Sequence, residues 1–258
     1  MRVSKLTGLM VLMLLVLVIS CSRKEKKQVL REDTSPAELL QYGDKFYNEQ
    51  DYENAFIAYS LIYHNYPSSR EYIDATIGLG RCYGAMKDFD KEFDLLYNLL
   101  RENIIPSKVP AIYNAIAEFY ERSAGISEKL TGDSQGDYQT AINYLQQGIA
   151  YPNSDDKSAK SLAQYKIGIL YDKMNEYSKA IDAFQKTITN YPETKWANAA
   201  QTKMTEVKEK MARHSQLDNS QGASLNQENP GDQTAKRDSS LLPAPHSPAD
   251  SSGTTPKR

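Results

Sequence analysis

The sequence predicts an all-α solenoid of about four stacked helical hairpins followed by a capping helix. The main observation is an internal repeat, whose first copy consists of Gly43, Phe46, Ala55, Tyr59 and Pro67. The second copy keeps the same spacing, with Gly168, Tyr171, Ala180, Phe184 and Pro192. Both copies close with Asn-Tyr-Pro, where the proline ends a helix because it has no amide hydrogen and its ring clashes with a continuing turn.

This repeat resembles the tetratricopeptide repeat, a helix–turn–helix unit of about 34 residues. A weaker copy begins at Ile73 and another near Pro110, so that four units cover Pro36 to Thr194. The resemblance implies that each unit is a pair of antiparallel helices. It also implies that the first helix of each unit lines a concave face on which protein partners bind.

Glycine lies inside three of the predicted helices, at Gly43, Gly80 and Gly168. Glycine costs about 1 kcal/mol there relative to alanine, which predicts close packing of the two helices of a unit at these positions, with aromatic rings between units. The second unit has Glu92 where the other copies have a small residue. Because an unpaired buried carboxylate is costly, either this unit opens locally, the favoured interpretation, or Glu92 meets a cation such as Arg81.

A last apolar stripe predicts a capping helix over Lys195 to Arg213, with Trp196 as a packing residue. From His214 to Arg258 the composition becomes rich in Ser, Gln, Asn, Gly and Pro, which predicts a disordered tail. The third unit carries additional residues between Tyr120 and Tyr138. We expect this insertion to form a loop, either as part of a binding face or as tolerated surface length.

The N-terminus predicts a signal peptide with a lipid attachment site. Arg2 and Lys5 precede an apolar run from Leu9 to Ile19, which is shorter than the roughly 20 residues of a membrane span. The end of the run, Val18-Ile19-Ser20-Cys21, resembles the bacterial lipobox, which implies cleavage before Cys21 and its acylation, with palmitate among the chains. Two or more acyl chains anchor a protein stably.

The predicted domains are therefore a lipoprotein signal peptide at 1–20, a lipidated cysteine with a flexible tether at 21–34, a repeat domain at 35–213 and the tail at 214–258. Ser22 follows the cysteine where aspartate favours retention at the inner membrane, so the resemblance implies the periplasmic face of the outer membrane. Cys82 is then the remaining thiol, and we expect it in the core.

No residue pattern indicates catalysis or a cofactor. The three histidines, His64, His214 and His246, have no second ligand at metal spacing, so no metal site is predicted. The net charge of −2 gives no electrostatic footprint for nucleic acid. The sequence therefore predicts that the protein is not an enzyme.

The lipobox, the repeats ending in Tyr-Pro and the lengthened third unit together resemble the BamD family, the lipoproteins of the outer-membrane β-barrel assembly machine. The resemblance implies a scaffold that binds barrel-assembly components or unfolded barrel substrates. The alternative is an adaptor for peptidoglycan enzymes or for envelope constriction, because the last unit also resembles the repeats of a constriction protein. By the register of the tetratricopeptide family, partner-binding positions are Asp44, Tyr47, Arg81, Asn114, Glu118, Glu121, Tyr165, Asp172 and Lys173.

Overall fold

The computed structural model describes residues 34–102 and 105–225, and every regular element in these ranges is helical. The helices pair in chain order, α1 with α2, α3 with α4, α5 with α6 and α7 with α8, and α9 follows the last pair. A single 3-10 turn, Pro106–Lys108, precedes α5. The bounds are α1 Pro36–Asn48, α2 Tyr52–Asn65, α3 Tyr72–Ala85, α4 Phe89–Glu102, α5 Val109–Thr131, α6 Gln135–Ala150, α7 Lys157–Lys173, α8 Tyr177–Asn190 and α9 Lys195–Leu225.

The chain separates into two compact parts after Met211, and the helix pairs belong to the first part. The predicted solenoid of four hairpins with a capping helix is confirmed in this first part. As the prolines predict, α2 and α8 end at Asn65 and Asn190, two residues before Pro67 and Pro192.

Helix ends follow local chemistry. Ser35 and Glu38 form a capping box at the start of α1, and the Asp156 carboxylate caps α7 by accepting the Ala159 amide hydrogen at 2.9 Å. Three pairs turn through a left-handed residue, at Gln50, Lys87 and Asn175. The backbone hydrogen bonds around these three turns repeat from unit to unit, which gives the pairs the same geometry.

Large rings fill the space that the helical glycines leave. The Tyr59 ring lies between Gly43 of α1 and Gly78 of α3, and a Cβ at Gly78 would lie 2.5 Å from it. Phe184 occupies the equivalent place against Gly168, where a Cβ would again lie at 2.5 Å. Close packing at the glycines is thus confirmed. The rings that approach Gly43 and Gly168 belong to Tyr59 and Phe184, each four residues beyond the alanine of the repeat, Ala55 or Ala180.

Glu92 lies inside the fold, so the favoured expectation of a local opening is wrong. Its side chain is fully buried, faces Gly84 and forms an ion pair with Arg122 of α5. Arg81, the predicted cation, instead binds Glu118. Burial raises the pKa of Glu92 to about 7, while the nearby Arg122 guanidinium acts to lower it. Gly84 supplies the room that a carboxylate needs at a helix crossing.

The insertion of the third unit is helical, which corrects the predicted loop. Helix α5 continues to Thr131, and only Gly132, Asp133 and Ser134 separate it from α6. Ala124 is buried at the start of the lengthened part, whereas Ile126 and Leu130 farther along it are exposed. Gly132 then ends α5 in the left-handed conformation with φ of 75°, which glycine adopts without steric cost.

Helix α9 also exceeds its predicted end at Arg213, because the structure describes helix up to Leu225. Residues 214–225 are therefore helical and do not belong to a disordered tail. The remainder of the predicted tail, residues 226–258, lies outside the described residues, as do the signal peptide, Cys21 and the tether up to residue 33. Within the described ranges, no helix combines the length and hydropathy needed to cross a bilayer. Cys82 is a buried free thiol, as predicted.

Candidate protein-binding groove

A cavity of about 410 Å³ lies along the first helices of all four pairs. Its walls come from α1, α3, α5 and α7 and from the start of α9. Apolar side chains on the walls include Leu40, Ile77, Leu162 and Trp196. Three of the predicted partner-binding residues, Asp44, Arg81 and Asn114, line the same cavity. We call this cavity the groove.

Glu118 is the centre of an ion network beside the groove. Its carboxylate accepts two hydrogen bonds from Arg81 of α3, at 2.8 and 3.1 Å, and pairs with Lys166 of α7 at 3.0 Å. Burial opposes ionisation of Glu118, but these two cations hold its pKa at about 2. The network therefore ties together the first helices of three consecutive units.

Glu121 extends the network along α5 and α7. It lies 3.6 Å from Lys166 and 2.7 Å from Lys173. Lys166 is absent from the predicted set, although its spacing of seven residues from Lys173 puts both lysines on one helix face and was a usable signal. The charges that α5 and α7 carry beside the groove are thus largely neutralised by one another.

Asp172 points toward the capping helix. One of its carboxylate oxygens pairs with Lys210 of α9 at 2.6 Å. This contact fixes α9 against the last pair, since Met204 and Val207 of α9 are buried against Phe184. Asp172 therefore already has a structural partner in the capping helix.

The two predicted tyrosines have different surroundings. Tyr165 stacks on Trp196 with ring centroids 5.3 Å apart and also contacts Phe184, so it supports the wall of the groove. Tyr47 packs edge-to-face against Tyr52 at 5.3 Å, and burial raises its pKa. Neither ring stands free in solvent.

Asn114 is the most buried of the predicted residues, with 2% of its surface exposed. Its side-chain Nδ2 donates a hydrogen bond to the Ala159 carbonyl at 2.9 Å, which joins α5 to α7. Its Oδ1 accepts no hydrogen bond from any described residue. Among the described residues, no three His, Cys, Asp or Glu side chains come together as a metal site.

Residues 162–194, which include most of the last helix pair, match the tetratricopeptide repeat family. The fold is a tetratricopeptide-repeat solenoid. Such repeats generally mediate protein–protein interactions and are typically non-catalytic. No curated protein matches the chain.

Several solved structures are similar to the chain at low identity. The MamA protein is 21% identical over 67% of this chain and 86% of its own, with a TM-score of 0.37. Kinesin light chain repeats from Podosopora anserina are 12% identical over 72% and 92%, with a TM-score of 0.49. A tetratricopeptide repeat protein from Parabacteroides merdae is 14% identical over 75% and 68%, with a TM-score of 0.42.

Proposed function

We propose that this protein is a lipid-anchored scaffold on the periplasmic face of the outer membrane, where its groove holds protein partners in outer-membrane protein assembly. The single observation that supports binding in the groove is the 410 Å³ cavity, to which the first helices of four consecutive repeats contribute. Apolar side chains such as Leu40, Leu162 and Trp196 alternate on its walls with charged and polar ones such as Asp44 and Asn114, a mixture that can bind both the apolar and the polar groups of a peptide segment. The lipobox at Cys21 supports the anchor.

The second candidate function is an adaptor for peptidoglycan enzymes or for envelope constriction. It is supported by the similarity of the last unit to repeats of a constriction protein. Both functions use the same groove and the same anchor. They differ only in the partner, so the partner's identity decides between them.

The test is affinity purification of the full-length protein from its own membranes, with mass spectrometry of the N-terminal peptide. We expect acylated Cys21 and co-purification of a barrel-assembly protein, whereas cell-wall enzymes would favour the second function. A Cys21→Ser variant should leave the membrane fraction. An unmodified Cys21, or no envelope protein in the eluate, would contradict the proposal.

A groove variant and a matched control extend this test. Leu162→Arg places a long cation in the groove, while Ile57→Arg places it on α2, where Ile57 is 48% exposed. We expect Leu162→Arg to lose the partner and Ile57→Arg to keep it. Equal recovery with both variants would exclude the groove.

A further inference from the structure

The groove contains a buried acceptor without a donor. Asn114 Oδ1 accepts no hydrogen bond within the described chain, although the residue is 2% exposed and lines the cavity. The Asn114 amide group itself is used, since Nδ2 donates to Ala159. Buried acceptors in native proteins are nearly always satisfied, and leaving one unpaired costs free energy. This position therefore calls for a donor that enters from the groove.

Two carboxylates of the groove have no cation partner among the described residues. Asp44 lies on α1 and accepts a hydrogen bond from the Tyr59 hydroxyl at 2.8 Å. Asp156 precedes α7 and accepts the amide hydrogen of Ala159. These neutral donors satisfy one oxygen of each carboxylate, and no side-chain cation of the described residues pairs with either.

The cations that line the groove differ in their partners. Arg81 is bound by Glu118, whereas the Lys195 ammonium lies 4.8 Å from the centre of the Trp196 ring and keeps its positive charge. The third carboxylate of the groove, Asp74, pairs with Lys108 at 2.7 Å. The groove therefore offers Asn114 Oδ1 and two carboxylates that have no cation partner among the described residues, against the one ammonium of Lys195.

We propose that the groove binds an arginine or lysine side chain from an extended segment of a protein partner. The charged end of that side chain donates to Asn114 Oδ1, and the negative charges of Asp44 and Asp156 on the walls of the same cavity attract it. Its aliphatic stem lies against Leu40 and Leu162, because long basic side chains bury their methylenes along apolar walls. Charge-assisted hydrogen bonds of this kind are the stronger ones. This inference rests on the proposed function, in that the groove binds a protein.

The probe is the peptide acetyl-Ala-Ser-Leu-Xaa-Leu-Ser-Ala-amide, in which Xaa is arginine, lysine, citrulline or glutamate. Citrulline keeps the shape of arginine without its charge. Trp196 is the sole tryptophan of the chain and lies in the groove, so its fluorescence reports binding to the full-length protein. We expect the arginine and lysine peptides to bind at least about tenfold more tightly than the citrulline peptide, with weaker binding at high salt.

The decisive variant is Asp44→Asn combined with Asp156→Asn. Asparagine is an equally good helix cap and keeps an acceptor for Tyr59, so the fold should persist. We expect this double variant to bind the arginine peptide at least about tenfold more weakly, and to bind the citrulline peptide unchanged. The matched control is Asp94→Asn, because Asp94 is an exposed carboxylate on α4, outside the groove.

Three results would overturn this inference. They are equal affinity for arginine and citrulline peptides, tighter binding of the glutamate peptide, and an unchanged affinity in the double variant. A fourth is binding that appears only after the basic run Arg23, Lys24, Lys26 and Lys27 is replaced by serine, which would assign the groove to the chain's own tether. A further outcome is that Leu162→Arg abolishes recovery of the partner while the aspartate variants still recover it. That result would support partner binding in the groove and would exclude recognition of a basic side chain by Asp44 and Asp156.

Discussion

Single glycines decide how closely the two helices of a repeat can pack. A Cβ at Gly168 would lie 2.5 Å from the Phe184 ring, which is fully buried and has no room to move. Gly125 of α5 is also helical, but a Cβ there would meet nothing within 4 Å. A comparison of alanine substitutions at the two positions therefore separates the effect of close packing from the low helix propensity of glycine.

We expect Gly168→Ala to lower the free energy of unfolding by about 2 kcal/mol, because the added methyl overpacks the core. Gly125→Ala should instead raise it by up to about 1 kcal/mol through helix propensity. Urea denaturation followed by circular dichroism measures both. A stable Gly168→Ala protein would show that the ring and the glycine are not in contact.

Glu92 makes stability depend on pH. Because its pKa in the folded protein is raised to about 7, its contribution to stability is full below the ordinary pKa of 4.5. That contribution is lost as the pH rises through 7. We expect Glu92→Gln, which is neutral and of equal size, to reduce the loss of stability between pH 5 and pH 8. The midpoints of urea denaturation across this pH range test the prediction. Identical pH profiles for the two proteins would contradict a raised pKa of Glu92.

The loss of the Glu92 side chain has a separate consequence. Glu92→Ala restores the small residue of the other units but leaves a cavity opposite Gly84, since both positions are then small. We expect a loss of about 2 kcal/mol in the free energy of unfolding, as for other large-to-small core changes. The sequence alone favoured a local opening here because Arg122 is thirty positions away from Glu92 and nothing in the repeat pattern pairs them.

At the level of elements, Glu118 joins α3, α5 and α7. Its carboxylate is bound by Arg81 and Lys166, so its pKa is lowered to about 2. A lowered pKa means that its contribution is present above pH 4.5 and is lost as the pH falls toward 2. Register between neighbouring units thus depends partly on one ionised side chain.

We expect Glu118→Gln to lower the free energy of unfolding by about 2 kcal/mol at pH 7, because Arg81 and Lys166 lose their counter-charge. The loss should shrink toward pH 2. The control is Glu128→Gln, an exposed residue of the same helix, which should change stability by less than about 0.5 kcal/mol. A loss for Glu118→Gln that is independent of pH would contradict the charge argument.

The sequence predicted the helix pairs well, because glycine, aromatic and Asn-Tyr-Pro positions repeat at fixed spacing. The prediction was wrong about where α5 and α9 end, because the residues near these ends show no helical periodicity of apolar positions. The residues between Tyr120 and Gln135 include two glycines and a polar run, which indicate a loop, yet Ala124 packs inward and α5 continues to Thr131. Helix α9 passes its predicted end for the same reason, since polar residues alone do not stop a helix.

For the candidate site, the family register predicted groove positions at Asp44, Arg81 and Asn114, and these three residues line the cavity. It did not indicate that Glu118, Glu121 and Lys173 neutralise one another, because that depends on the distances between units. It also missed Lys166. Which charges of the groove remain without a partner can therefore be seen only in the folded protein.

At the scale of the molecule, the proposed function depends on the groove. Leu40 and Leu162 lie on opposite repeats of the groove, on α1 and α7, while Ile57 lies exposed on α2. Any segment that fills the groove must pass near both leucines. A partner that binds elsewhere would contact Leu40 and Leu162 no more often than it contacts Ile57.

The most direct measurement is photocrosslinking in intact cells with a photoreactive side chain at Leu40 or Leu162, compared with the same side chain at Ile57. We expect one and the same protein adduct from both groove positions and none from Ile57, with the adduct identified by mass spectrometry. Adducts from Ile57 alone, or no adduct from either groove position in a folded protein, would contradict it.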